Sequence, residues 1–168
     1  MEKQTTAPAI EPAHTTTMRT HMASQKRLMQ LLGFGGLLPF YGLAAVAAWG
    51  DPVLKAPALS LLAVYAATII SFIGGVAWAM SLLTQPRAPR LTQNLLVWSV
   101  IPPLLAAACF FAPLATRLWL LVMVLAIAWI ADKRFSKALD LPPEWIQLRA
   151  ALSLLAIGAL SWAASNVA

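Results

Sequence analysis

The chain has 168 residues, of which 60% are hydrophobic and 11% charged, and it carries a net charge of +6. Soluble domains hold about 25% charged residues, so this balance excludes an ordinary soluble fold and points to the membrane class. The lone cysteine, Cys109, excludes an intrachain disulfide and a paired-cysteine metal site, and basic residues placed between apolar runs argue against a nucleic-acid partner.

Residues 1–27 are rich in Thr, Pro and small polar residues and show no apolar periodicity. Such a segment buries too little surface to offset its ordering entropy, so a disordered polar tail is expected. Glu2, Glu11, Pro8 and Pro12 make it a poor match to the Arg-rich, acid-poor presequences of mitochondrial proteins. His14 and His21 lie in this tail and are read as solvated residues rather than metal ligands.

Five apolar runs follow, at Leu28–Trp49, about Pro57–Leu83, Leu95–Ala112, about Leu114–Ala131 and about Leu148–Val167. A hydrocarbon core about 30 Å thick takes roughly 17–25 helical residues, so each run can span. Lipid cannot satisfy exposed backbone groups, which leaves helices as the open choice. The expected fold is therefore all-α: a bundle of five transmembrane helices over residues 28–168. The first run ends in "AVAAW", like a cleavable leader, but exceeds the 7–15 apolar residues about which such leaders centre. It is read as a retained span.

Charge sets the expected orientation. Lys3, Arg19, Lys26, Arg27, Arg87, Arg90, Lys133, Arg134, Lys137 and Arg149 fall on one side of a five-span chain, and only Lys55 and Arg117 on the other. Basic residues in short segments mark the cytoplasmic side, so the N-terminus is expected inside and the C-terminus outside.

Several spans carry residues that helix propensity in water would disfavour. Ala67, Ser71, Gly75 and Ala79 recur every four positions in the second run and line one helix face. In lipid, small residues let backbones approach, so this stripe is expected to seat another helix, with Ala63 lying off it. The first run holds Gly33, Gly35, Gly36, Pro39 and Gly42, and the third holds Pro102 and Pro103. Proline removes a backbone donor and kinks a helix. Kinked packing is preferred here to the broken-helix substrate sites of transporters. Trp49, Trp78, Trp98, Trp129, Trp145 and Trp162 lie near expected span ends, with Trp119 near the outer end of the fourth, where indoles anchor at the headgroup level.

Chemistry is sparse. Asp132 at the end of the fourth run and Arg149 at the start of the fifth are expected to pair. Between them Pro142 and Pro143 can open a helix, with Asp140 as its cap and Glu144 favourable in its first turn. The functional reading of Asp132, Glu144, Trp145 and Arg149 is a cytoplasmic binding site, and the structural reading, an ion pair at a helix start, is preferred. The sequence contains no HExxH, GxSxG, CxxC or phosphate-loop motif. No catalytic residue, cofactor or metal ligand is assigned.

The order "LLGFGGLLPF", "YAATIISFIGGVAWAM", "WSVIPPLLA", "AWIADKR", "LPPEWIQLR" resembles the family of unknown function numbered 3429, which includes transmembrane protein 69-like proteins of mitochondria. The likeness covers about residues 28–165, and its motif positions include Ser71, Phe72, Gly74, Gly75, Trp78, Pro102, Asp132, Pro143, Trp145 and Arg149. It implies a multi-pass inner-membrane protein, bacterial or mitochondrial, without an assigned activity. The expected role is a non-enzymatic packing or accessory component of a membrane complex, with the bilayer and a membrane protein or a second copy as partners. The competing readings are a small oligomeric transporter or channel subunit and, ranked lowest, an enzyme acting on lipid or quinone head groups.

Overall fold

The computed structural model describes residues 13–84 and 88–167, with side chains from Ser24 onward. The described chain is helical: α1 (Ala13–Gly35), α2 (Leu38–Trp49), α3 (Pro52–Thr84), α4 (Pro89–Ala108), a single 3-10 turn at Cys109–Phe111, α5 (Leu114–Ala138) and α6 (Pro143–Ser165). Counting Ser24–Trp49 as one, five helices are long and apolar enough to cross a membrane.

The expected tail is only partly within view. Residues 1–12, with Lys3, lie outside the described residues, as does Arg87. Residues 13–27 are helical, so α1 begins well before the expected boundary at Leu28. Its stretch from Met22 to Arg27, "MASQKR", is made mostly of good helix formers that propagate the turn of the apolar segment behind it.

Prolines explain three of the early starts. Pro52, Pro89 and Pro143 open α3, α4 and α6, where the missing N–H would have had no helical partner. Asp51 adds a cap, its Oδ1 accepting the Val53 N–H at 2.8 Å. The helix α5 runs past the expected end at Ala131, so Lys133, Arg134 and Lys137 sit on its last turns rather than in a loop.

Asp140 does not cap α6, whose N-cap position is Pro142 with no side-chain hydrogen bond. Asp140 instead closes α5. It takes a left-handed φ of 51°, while Leu141 N–H donates to Ser136 O at 3.0 Å and Asp140 N–H to Lys137 O at 3.4 Å. These are the paired bonds of a Schellman ending, and aspartate is one of the few residues that tolerates the conformation.

The direction of each helix follows from its contacts. Thr84 and Thr92 hydroxyls lie 3.0 Å apart across the α3–α4 connection, and Trp98 on α4 meets Phe135 on α5 at 6.4 Å between ring centres. Trp49 ends α2 against Trp162 of α6 at 5.0 Å, while Lys26 of α1 reaches Glu144 of α6 at 3.1 Å. Successive spans therefore run antiparallel. The starts of α4 and α6 and the ends of α3 and α5 share one end of the bundle with Lys26. That end carries most of the basic residues, and Arg117 lies at the other.

The helix α3 is central. Leu59, Leu62, Ala63, Ala66, Ile70, Ile73, Gly74, Ala77 and Ser81 form a continuous buried row along it. Their spacing of three and four is one helix face. The buried core is completed by Phe40, Leu118, Leu121, Leu125 and Leu160 from α2, α5 and α6.

Candidate functional site

The motif residues gather in three places. The first is the seam between α3 and α4. Pro102 and Pro103 lie inside α4, and together they remove both N–H groups, three and four residues on, that could bond the Ser99 carbonyl. Gly74 packs against that oxygen. A Cβ built on Gly74 would collide with Ser99 O and stand 3.0 Å from Pro103 Cδ, so only glycine fits without a shift. The freed carbonyl thus faces a Cα rather than lipid, a weak C–H···O contact that recurs at helix interfaces.

The expected stripe is corrected by one residue. Ser71, Gly75 and Ala79 are exposed, and a Cβ on Gly75 would meet nothing within 4 Å. Ala63, placed off the stripe, is fully buried at 0% exposure. The Ser71 hydroxyl donates back to Ala67 O at 2.9 Å. Ser71, Gly75, Trp78 and Val100 instead line an open groove on the outer side of the α3–α4 seam.

The second place is the basic end of α5 and α6. Arg149 Nη2 donates to Asp132 Oδ2, and the two side chains are 17% and 14% exposed. Arg149 also stands over the Trp145 ring at 5.5 Å from its centre, a cation–π distance. Its Nε is buried and has no hydrogen-bond partner among the described residues. Pro143 starts the helix that holds Trp145 and Arg149, which lie about one turn apart on it. Glu144 is not in this cluster, because it pairs with Lys26 on the surface.

The third place is the break in the first span. α1 stops at Gly35 and α2 starts at Leu38. Tyr65 of α3 donates its hydroxyl to Gly36 O at 2.8 Å, and its ring meets Phe40 edge-on at 5.0 Å. Neither contact was expected from the sequence, since a tyrosine among apolar residues carries no signal of its partner. Beside the break lies a cavity of about 160 Å³ bordered by Gly33, Phe40, Phe72, Ile73, Arg149 and Ser153, among others. It brings Phe72 and Arg149, far apart in the chain, to one place.

A family model for proteins of unknown function, DUF3429, matches residues 25–165, all five apolar helices. The chain belongs to the DUF3429 family. No curated protein and no solved structure shows significant similarity to it. All three places described above therefore fall within the DUF3429 region.

Two further features of this DUF3429 chain were missed by sequence reasoning. Trp98 stands in the middle of α4 rather than at a span end, with its Nε1 buried and unpartnered among the described residues. Pro102 and Pro103 inside α4 were legible in the sequence, but the helix start at Pro89 was not. Arg117 closes the chain at the other end of the bundle, its Nη2 donating to Phe110 O at 3.3 Å and Ala112 O at 3.1 Å. It satisfies the carbonyls of the turn after α4 and lies over the Phe110 ring at 4.7 Å. Among the described residues, no group of three or more His, Cys, Asp and Glu comes together.

Proposed function

We propose that this chain is a multi-pass protein of the bacterial inner membrane that acts as a non-enzymatic accessory component of a membrane complex. The mitochondrial inner membrane is the alternative location. The observation that carries the reading is the outer groove of the α3–α4 seam. Ser71, Gly75 and Ala79 are small and exposed among the described residues, and a Cβ on Gly75 would meet nothing within 4 Å. In lipid, small residues on a helix face allow close approach of a neighbouring helix, so the groove suits a span of a partner protein. In this reading the basic end faces the cytoplasm, because Lys and Arg near span ends favour that side.

Affinity purification in mild detergent tests it, with wild type beside Gly75→Leu. A stoichiometric membrane protein that copurifies with wild type and is lost with Gly75→Leu, at unchanged thermal stability, is the expected result. Recovery of the chain alone from both preparations would overturn it.

The transporter or channel reading draws on the break in the first span and the cavity beside it, since interrupted helices build substrate sites in many transporters. A homo-oligomer that moves solute across liposomes would favour it over the accessory role.

A further inference from the structure

The geometry points to a binding site for an acidic phospholipid at the cavity beside the broken first span, with the phosphate on Arg149 and part of one acyl chain inside. The cavity walls are almost wholly apolar, and Arg149 and Ser153 are the polar side chains on them. A volume of about 160 Å³ compares with the roughly 150 Å³ apolar cavity that accepts benzene, so it takes a chain segment rather than a whole lipid. The rim is built for lipid, since Leu32 and Phe72 on it are 69% and 66% exposed.

Charge selects the head group. Arg149 spends Nη2 on Asp132, yet Nε is buried and has no partner among the described residues. The side chain keeps 17% of its surface exposed, and the guanidinium N–H groups that Asp132 does not take can donate to a phosphate oxygen, the charged acceptor that a bilayer supplies. Arg149 lies six residues into α6, about 9 Å from its start at 1.5 Å per residue. The same end carries Lys26, Arg27, Lys133, Arg134 and Lys137 against Asp132, Asp140 and Glu144. That excess of positive charge favours an anionic head over a zwitterionic one.

This site is separate from the outer groove of the accessory reading and does not depend on it. The test uses the full chain, stripped of lipid in detergent, and measures Tm with dioleoyl phosphatidylglycerol, dioleoyl phosphatidylcholine or inorganic phosphate. Phosphatidylglycerol at about a hundredfold excess over Kd should raise Tm by roughly 5–10 °C, and phosphatidylcholine by clearly less. Arg149→Lys keeps the charge but removes the guanidinium, and Ser153→Phe fills the cavity; each should reduce the phosphatidylglycerol shift to that of phosphatidylcholine. Should either variant fail to fold, native mass spectrometry of wild type and Ala156→Leu decides, with preferential phosphatidylglycerol retention on wild type alone as the expected result. Equal shifts or equal retention for the two lipids would overturn the proposal. A shift produced in full by inorganic phosphate would also overturn it, by showing an anion site without lipid.

Discussion

Gly74 of α3 packs directly on the carbonyl of Ser99, the one backbone oxygen of α4 that Pro102 and Pro103 together deprive of both helical donors. The two motifs "SFIGG" and "IPP" are thus two halves of one contact. The prolines release an oxygen, and the glycine brings a backbone close enough to cover it.

Substitutions at the paired glycines should therefore separate. Gly74→Ala places a methyl where Ser99 O and Pro103 already stand, and overpacking of this kind costs about 1–3 kcal/mol. Gly75→Leu, whose Cβ would meet nothing within 4 Å, should leave the stability of the isolated chain unchanged. Ala63→Leu, at a fully buried position, should behave like Gly74→Ala. Thermal unfolding in detergent checks all three, and a destabilised Gly75→Leu beside a neutral Gly74→Ala would reverse the assignment.

The Asp132–Arg149 pair is largely removed from solvent. Breaking such a pair from one side leaves an uncompensated charge and costs about 3–5 kcal/mol when burial is complete. Asp132→Ala and Arg149→Ala should each lower stability, by somewhat less because both residues keep some exposure. The double variant should lose less than the sum, with a coupling of about 0.5–3 kcal/mol in a double-mutant cycle. Additive losses would show that the two side chains do not support one another.

Tyr65→Phe removes the hydroxyl that holds Gly36 O at 2.8 Å and leaves the ring against Phe40. A hydrogen bond of this kind contributes about 0.5–1.5 kcal/mol. The loss should appear as a modest fall in Tm, with faster amide exchange around Gly36–Leu37 than in α3. Unchanged exchange at the break would mean that the α1–α2 turn holds without Tyr65.

Orientation is tested by a reporter fused after Ala168 that is active only outside the cytoplasm. The basic end of the bundle includes the start of α6, so the end of α6 lies opposite it. With the basic end inside, as proposed, the fusion should be active. An inactive fusion whose cytoplasmic counterpart works would invert the proposed topology.

The sequence by itself determined the number of apolar helices, the clustering of basic residues at alternate span ends and the pairing of Asp132 with Arg149. Each is a one-dimensional property: run length against bilayer thickness, charge between runs, and the ionisable residue nearest each span end. Tertiary structure decided which face of each helix meets a neighbour. Neighbouring residues on a helix point about 100° apart, and both Gly74 and Gly75 belong to rows containing small residues, so spacing alone could not choose between them. The choice was made by the Ser99 carbonyl, an oxygen that becomes unpaired only because of prolines in a different helix. The Tyr65–Gly36 and Lys26–Glu144 contacts were likewise out of reach of the sequence. They join residues of separate helices, and only the packing of the bundle brings donor and acceptor together.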